Sequence, residues 1–255
     1  MIQRGNGTPE IRVAGAEVPL AELPSWAEAY GAVAGITERG PAGDFSLGLW
    51  SPEPARVISE RWRSFRQHHA SRFPAVVMAH QVHGTRVSVH GAHSPGWHVG
   101  EGYDGHVTAE AGLLLAVTVA DCVPIYVVDR RGPGIALLHA GWRGVAGGML
   151  ENGLRTMCQR TKAMVQDLAV HLGVAICGKC YEVGPEVAWA VRLEGTDKPV
   201  HLDLRAELAV RAKRLGIHDV TTSPFCSACD DGRFFSHRGS RGDGGRMVAY
   251  LGRPA

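Results

Sequence analysis

The chain has 255 residues, of which 45% are hydrophobic and 20% are charged. A chain of this length and composition can bury one large core, so we expect a single domain over residues 1–255. Its 27 basic and 25 acidic residues give a formal net charge of +2, too small to indicate nucleic acid or a membrane surface as a partner. The sequence has no apolar run of the ~20 residues that cross a bilayer and no apolar leader, which predicts a cytoplasmic protein.

The first half of the chain is predicted to contain one helix and several strands. The Gly-, Ala- and Pro-rich residues 1–40 predict short strands and turns. Apolar side chains recur at three- and four-residue spacings from Pro54 to His68, which predicts an amphipathic helix. Two strands, Phe73 to Ala79 and Thr85 to His90, are predicted on either side of a turn that carries His83.

The middle of the chain has the strongest strand pattern. The runs Leu113 to Val119 and Val123 to Val128 are almost continuously apolar, as in strands that are covered on both faces. A third strand, Gly134 to Leu138, ends next to His139. We therefore expect a mixed α/β (α+β) fold in which helices cover a mixed β-sheet, with Cys122 and His139 at the ends of neighbouring strands.

The second half is predicted to contain two helices and a closing strand. The helices are Val145 to Arg160 and Leu204 to Leu215, the latter with Asp203 as its N-cap, and the strand is Met247 to Leu251. Arg143 precedes the first of these helices in a Gly-rich turn, an arrangement suited to binding phosphate or carboxylate. The alternative is that Arg143 is a surface arginine or a structural one held in a salt bridge.

Three separated residues, His83, Cys122 and His139, form a candidate zinc set. Two imidazoles and one thiolate leave the fourth tetrahedral position open for water or substrate, as in catalytic zinc sites. The same donors also accept copper. Alternatively, Cys122 is a nucleophile with a histidine as its base and Asp121 as the orienting group. Zinc is favoured because it gives both imidazoles a role; Asp121, and more weakly Asp104, are candidates for orienting a ligand or moving a proton.

The remaining cysteines and histidines are assigned weaker roles. Two C-x-x-C pairs, Cys177/Cys180 and Cys226/Cys229, could together form a four-thiolate structural zinc site. Their separation exceeds the ~15 to 20 residues typical of paired zinc knuckles, so ordinary thiols are the favoured interpretation. The sequence has no H-x-H pair, and most of the six histidines from His80 to His106 are predicted to be solvated loop residues.

Five segments together carry a family resemblance. They are Gln81 to Gly84 (Q-V-H-G), Ala120 to Ile125 (A-D-C-V-P-I), His139 to Gly144 (H-A-G-W-R-G), Cys180 to Gly184 (C-Y-E-V-G) and Phe234 to Arg238 (F-F-S-H-R). The chain resembles the YfiH family from about Phe45 to Leu251. That family has been labelled polyphenol oxidase or laccase-domain protein and includes the mammalian laccase domain-containing protein FAMIN.

The resemblance implies a single-domain mixed α/β fold with zinc held by His83, Cys122 and His139. It also implies phosphorolysis of adenosine, inosine, guanosine and methylthioadenosine, together with adenosine deamination. On this basis we assign catalysis to Cys122, Asp121 and Arg143, and substrate binding to Gln81, Arg143 and Arg238. The expected partners are a purine nucleoside and phosphate.

Other functions stay open at this point. A bacterial branch of the family is linked to peptidoglycan editing, in which serine is removed from a UDP-muramic acid precursor. A copper polyphenol oxidase and a non-catalytic, zinc-stabilised binding protein are lesser alternatives. The chain departs from the family pattern at residues 173–177, which lack a usual proline, and at Gly239, where a basic residue is usual.

Overall fold

A computed structural model describes residues 7–191, 197–242 and 244–255. The single-domain prediction also includes residues 1–6, 192–196 and 243, which lie outside the described residues. The helices are α1 (Pro24–Tyr30), α2 (Ala55–His69), α3 (Trp142–Gly147), α4 (Met149–Thr161), α5 (Pro185–Val191) and α6 (Leu204–Arg214), with a 3-10 turn at Val165–Asp167. None of the helices in these ranges is long and apolar enough to cross a membrane.

The strands fall into two large sheets and one small one. They are β1 (Ile11–Arg12), β2 (Leu20–Glu22), β3 (Val33–Thr37), β4 (Ala75–His80), β5 (Val87–His90), β6 (Gly96–Glu101), β7 (Gly105–Thr108), β8 (Leu113–Val119), β9 (Val123–Asp129), β10 (Ile135–Ala140), β11 (Leu168–Leu172), β12 (Glu182–Val183), β13 (Val200–His201), β14 (Asp219–Thr222) and β15 (Met247–Gly252). The first sheet has the order β1-β2-β3-β15-β8-β4-β6, and the second has the order β14-β11-β9-β10-β7-β5. Strands β12 and β13 pair by themselves. Both large sheets mix parallel and antiparallel pairs, which confirms the predicted mixed α/β class.

The two large sheets pack face to face, and this explains the apolar runs in the middle of the chain. Alternate side chains of β8, including Leu115 and Val117, pack against Tyr126 and Leu137 of the second sheet. Leu114, on the opposite face of β8, packs in the cluster that contains Trp62 of α2. Strand β8 is therefore covered by a sheet on one side and a helix on the other.

The outer face of the second sheet is covered by the later helices. Ile125 and Val127 of β9 share a buried cluster with Leu150 and Leu154 of α4, and α6 belongs to the same cluster. The side chains of β9 that point the other way, such as Tyr126, fill the space between the sheets. The order of layers is thus α2, first sheet, second sheet, then α4 and α6.

Most predicted elements are present within one or two residues of their predicted bounds. Asp203 caps α6 as predicted, because its Oδ1 accepts hydrogen bonds from the backbone N–H groups of Arg205 at 3.0 Å and Ala206 at 3.1 Å. The single helix predicted from Val145 to Arg160 is wrong. Gly148 has a φ of 82° and divides this stretch into α3 and α4, since an α-helix cannot continue through a left-handed residue.

A second correction concerns the first forty residues, which were predicted to hold strands and turns alone. They also contain the short helix α1, which has a proline in its first turn and ends at Gly31. The φ of Gly31 is 60°, the left-handed conformation that commonly ends a helix.

Candidate metal centre and its cavity

Three chain segments bring His83, Cys122 and His139 together. His83 follows β4, Cys122 lies in the turn between β8 and β9, and His139 is the next-to-last residue of β10. The antiparallel pairing of β9 with β10 places His139 opposite Pro124, two residues beyond Cys122. The sulfur and ring nitrogens of the three residues lie within 4.8 Å of one another.

Two residues of this region have an unusual backbone conformation. His83 has a φ of 57° and Asp121 a φ of 83°, both in the left-handed region that residues other than glycine rarely adopt. Such residues persist where surrounding contacts hold them, and they concentrate at functional sites. The conformation turns the chain sharply at His83 and immediately before Cys122.

Asp104 is the carboxylate that organises these donors. Its oxygens accept hydrogen bonds from the backbone N–H groups of Val82, His83 and Gly84 at 2.9 to 3.1 Å. Its Oδ1 also lies 2.9 Å from Nδ1 of His139, which leaves Nε2 as the ring nitrogen available for a metal. A carboxylate that orients a ligating imidazole in this way is a regular part of zinc sites.

The sequence interpretation undervalued Asp104. It ranked Asp121 first as the orienting carboxylate because Asp121 precedes Cys122. The backbone N–H of His139 donates to the carbonyl oxygen of Asp104 at 2.7 Å, so the register of β10 against the chain before β7 decides which carboxylate reaches the ring. A sequence without register information gives no signal for that pairing.

Charge within the cluster shifts the pKa of its members. Burial on its own raises the pKa of the Cys122 thiol, but the nearby imidazoles of His139 and His83 outweigh it and lower the pKa to about 6. Burial likewise lowers the pKa of His139, but Cys122 and Asp104 reverse the effect and raise it to about 9. The protein thereby stabilises a thiolate at neutral pH, and the thiolate is the form of cysteine that binds metals.

Gly141 leaves space beside the thiol. A Cβ atom at this position would lie 2.8 Å from Sγ of Cys122 and 3.5 Å from Cδ2 of His83, closer to sulfur than van der Waals contact allows. The soft donors, the lowered thiol pKa and this glycine fit a zinc ion held by His83, Cys122 and His139. The set also fits copper, since imidazole and thiolate bind both metals.

The donors border a cavity of about 550 Å³, a size usual for small-molecule sites. Three arginines, Arg143, Arg238 and Arg246, also line it. Within the described residues none of them pairs with a carboxylate: Arg143 lies over the ring of Trp142, and the other two donate to backbone carbonyl oxygens. Guanidinium groups without acidic partners make this part of the cavity suited to an anion.

The other predicted site residues also line the cavity, but their polar groups are engaged by the protein. The amide of Gln81 donates to the carbonyl oxygen of Thr118 at 2.9 Å and accepts from its N–H at 2.7 Å. Asp121 accepts from the hydroxyl of Ser227 at 2.6 Å and from the backbone N–H of Arg238 at 2.7 Å. These bonds position neighbouring segments, so substrate contact by Gln81 and proton transfer by Asp121 remain predictions.

Two of the histidines from His80 to His106 differ from the solvated majority predicted for this stretch. His90 and His106 are buried, and their rings are joined by a 3.1 Å contact between Nε2 and Nδ1. Burial lowers their pKa to about 4 and about 3, respectively, so both are neutral at pH 7. His80, in contrast, lines the cavity and stacks on Trp50 with ring centroids 4.3 Å apart.

Comparison with known proteins identifies the family. The sequence profile of the multi-copper polyphenol oxidoreductase laccase family matches residues 33–254. The chain belongs to this family. It is 32% identical to "Purine nucleoside phosphorylase YlmD" of Geobacillus stearothermophilus, over 88% of this chain and 90% of the relative. It is 35% identical to "Purine nucleoside phosphorylase" of Deinococcus radiodurans, over 93% of this chain and 94% of the relative.

One further relative has a different name, and two solved structures share the fold. The chain is 34% identical to "Adenosine deaminase RL5" of an unknown prokaryotic organism, over 64% of this chain and 69% of the relative. The crystal structure of YlmD from Geobacillus stearothermophilus superposes with a TM-score of 0.86 at 30% identity and covers 97% of this chain and 100% of its own. The Bacillus licheniformis protein YfiH has a TM-score of 0.83 at 23% identity, covering 94% and 98%. The predicted YfiH-like membership and fold are thereby confirmed.

Proposed function

We propose that the protein is a zinc-dependent purine nucleoside phosphorylase that acts on adenosine, inosine, guanosine and methylthioadenosine. The observation that carries the proposal is the position of the His83, Cys122 and His139 donors on the same cavity as three arginines that lack acidic partners. Two relatives with at least nine-tenths of their length aligned bear the name purine nucleoside phosphorylase.

The arginines support phosphorolysis over hydrolysis as the main reaction. Phosphate is a mixture of monoanion and dianion near neutral pH, and bidentate guanidinium groups match its geometry. Arg143 is exposed toward the cavity, and its guanidinium lies 4.4 Å from the centre of the Trp142 ring, which limits its orientations. In this proposal Arg143 and Arg238 hold phosphate, and one of its oxygens attacks ribose C1′ as the glycosidic bond breaks.

The departing purine takes the electron pair of the broken bond and needs a proton. We assign this role to His80, whose Nδ1 lies 2.7 Å from Glu101 Oε1 and whose Nε2 has no hydrogen-bond partner among the described residues. Trp50 stacks on His80 with ring centroids 4.3 Å apart, which limits the orientations of the imidazole. Holding phosphate and nucleoside in contact is the main contribution of such residues to the rate.

The residues that would hold zinc are His83, Cys122 and His139, with Asp104 fixing the imidazole of His139. A zinc ion there would supply Lewis acidity, which polarises substrate oxygens and lowers the pKa of water. The chain itself contributes the orientation of these donors and the thiolate at Cys122.

Adenosine deamination is the second activity we propose, and the open donor set supports it. Zinc deaminases combine such donors with a carboxylate that transfers the proton. Among the described residues Asp121 is the carboxylate that lines the cavity, and both of its oxygens already accept hydrogen bonds. Deamination is therefore expected to be slower than phosphorolysis.

The test is to incubate metal-quantified protein with adenosine, with and without phosphate, and to separate the products by chromatography. Phosphorolysis predicts adenine and ribose 1-phosphate that appear when phosphate is present, whereas deamination predicts inosine in both samples. The variant Arg143→Gln should raise the KM for phosphate more than the KM for adenosine. Arg155→Gln, an exposed change outside the cavity lining, is its matched control.

Absence of both products from folded, zinc-loaded protein would overturn the proposal. The next substrate to test would then be the serine-containing UDP-muramic acid precursor, followed by oxidation of phenols with copper-loaded protein. Adenine formed equally well without phosphate would point to a hydrolase and would contradict the role given to the arginines.

A further inference from the structure

The two C-x-x-C segments lie together in the fold, although 45 residues separate Cys180 from Cys226 by number in the sequence. Strands β11 and β14 are parallel neighbours, with Leu172 opposite Thr222 in the register. Because the two strands are parallel, their C-terminal ends lie side by side, and the chain leaves both of them in the same direction. A parallel bridge between Ala175 and Cys226 continues the pairing to the start of the cysteine loops.

The side chains of all four cysteines lie together beyond these strand ends. The sulfur atoms of Cys177, Cys180, Cys226 and Cys229 lie within 4.8 Å of one another. Sγ of Cys229 is 3.3 Å from that of Cys180 and 4.0 Å from that of Cys177. Four sulfurs around one zinc ion at about 2.3 Å form a tetrahedron with edges of about 3.8 Å, and these distances bracket that value.

We propose that Cys177, Cys180, Cys226 and Cys229 bind a second zinc ion in a closed, structural site. The expectation that these cysteines are ordinary thiols rested on their separation in sequence, and the parallel pairing of β11 with β14 removes that objection. The inference does not depend on the catalytic activity proposed above, because it concerns a different set of ligands.

The backbone around the cysteines has the hydrogen bonds that support metal-bound thiolates. Sγ of Cys226 accepts from the backbone N–H groups of Cys177 at 3.2 Å and Cys229 at 3.4 Å. The N–H of Cys180 donates to the carbonyl oxygen of Cys177 at 3.0 Å, so the first C-x-x-C segment forms a tight turn. Outer hydrogen bonds of this kind fix ligand orientation and favour the charged form of a donor.

The arrangement suits a metal better than two disulfides. A disulfide joins its sulfurs at about 2.05 Å and selects one partner for each cysteine. Here Sγ of Cys229 is close to both cysteines of the other loop, and Sγ of Cys226 accepts N–H bonds from both loops. Such sharing is expected when all four sulfurs surround a common centre.

A zinc ion at this position would hold one wall of the cavity in place. Ile176, next to Cys177, donates its backbone N–H to the carbonyl oxygen of Asp121 at 3.1 Å. Ser227, next to Cys226, donates its hydroxyl to the Asp121 carboxylate at 2.6 Å. The four-cysteine site thus holds two of the segments that contact Asp121, the residue preceding Cys122.

The first experiment counts metal ions and sulfur ligands in the full-length protein, purified under reducing conditions without chelators. Elemental analysis of the wild type should find about two zinc ions per chain, since each site takes one. Zinc X-ray absorption should give an average of about 2.5 sulfur ligands per ion, whereas the Cys122 site alone would give about one. Both readouts use the unaltered chain and do not require activity.

Variants then assign the two ions to their sites. Cys177→Ser with Cys180→Ser should lower the zinc content by about one ion per chain and leave the ion at the His83 site, and Cys122→Ala should do the reverse. Cys158→Ser, in a half-buried cysteine of α4 outside both clusters, is the matched control and should retain the full zinc content. Circular dichroism of each variant checks that it is folded.

Two results would overturn the inference. One is a wild type with a single zinc ion and one sulfur ligand, which Cys122→Ala abolishes. The other is an intact mass about 4 Da below that of the reduced chain in protein freshly isolated from cells, which would show two disulfides in place of a metal site.

Discussion

The cluster on the cavity has two imidazoles and one thiol, whereas the cluster formed by the two C-x-x-C loops has four thiols. The first has one donor fewer than zinc prefers and borders about 550 Å³ of space for a ligand. The second offers a complete tetrahedron. Zinc sites with three protein ligands are generally catalytic, and closed sites with four cysteines are generally structural. The number of donors, more than their chemical type, separates the proposed roles.

The groups that surround the two clusters also differ, in a way that fits an open site on the cavity and a closed site between the loops. His139 is oriented by a buried carboxylate, Asp104, and Cys122 is stabilised as a thiolate by adjacent imidazoles. The four-cysteine cluster is supported by backbone N–H groups of its own loops. A site that takes part in a reaction needs charges tuned around an open position, whereas a site that joins two loops needs short, rigid turns.

The largest effect on activity is expected for Cys122→Ala. It removes the thiolate and leaves two imidazoles for the metal, so adenosine phosphorolysis should fall by about a thousandfold or more. Product formation per mole of folded protein is the measurement. Cys158→Ala, in the half-buried cysteine of α4, controls for the loss of a thiol. Retention of activity by Cys122→Ala would remove the distinction between the two clusters.

A smaller loss is expected for Asp104→Asn. The change keeps the shape of the side chain but removes its charge and places an N–H₂ group against backbone N–H donors, so His139 and the loop of His83 lose their common acceptor. Loss of an outer-shell carboxylate typically costs 10–100-fold in metal affinity or activity. Competition with a chromogenic chelator measures the affinity. Asp219→Asn is the control, because the Asp219 carboxylate accepts a hydrogen bond from Tyr30 and does not line the cavity. It should leave the metal affinity unchanged.

Gly141→Ala should have a milder effect on the same site. Its backbone φ of −79° accommodates alanine, so the added methyl group acts through its 2.8 Å approach to Sγ of Cys122. We expect a loss of about tenfold in metal affinity, from a displacement of the sulfur by a few tenths of an ångström. Gly91→Ala, where the new Cβ meets no atom within 4 Å, is the control. Equal affinities of the two variants would show that the thiol can move freely.

The smallest effect on activity, and a large effect on stability, is expected for Cys177→Ser with Cys180→Ser. If the wild type is studied at a zinc concentration about a thousandfold above the dissociation constant, loss of the site removes about 4 kcal/mol of stability. For a domain of this size that corresponds to a fall in Tm of roughly 8 °C or more. Differential scanning calorimetry at fixed free zinc measures it. An unchanged Tm would mean that the loops do not share a metal.

The sequence was sufficient to predict those features that depend on local pattern. The apolar runs of β8 and β9, the amphipathic pattern of α2 and the N-cap at Asp203 all follow from residue spacing, and the structure contains them. The His83, Cys122 and His139 set could also be recognised from local sequence, namely from the short motifs that surround each residue. The break at Gly148 was missed because an isolated glycine is tolerated in many helices, and its φ is decided by packing.

Features that depend on strand register were beyond prediction. The hydrogen bond between the side chains of Asp104 and His139 joins residues 35 positions apart. The two C-x-x-C loops meet only because β14 lies parallel to β11. The same alternation of apolar side chains is compatible with many strand orders. Long-range pairing therefore decided both the identity of the orienting carboxylate and the grouping of the four cysteines.

The parallel pairing of β11 with β14 also constrains when metal can be captured during folding. Contacts between residues distant in the chain form slowly, since a long loop must close before they contribute free energy. The segment between the two strands includes α5 and α6, so a long loop has to close before the second C-x-x-C loop reaches the first. Capture of zinc by all four cysteines would then be a late event, and would mark chains in which β14 has paired with β11.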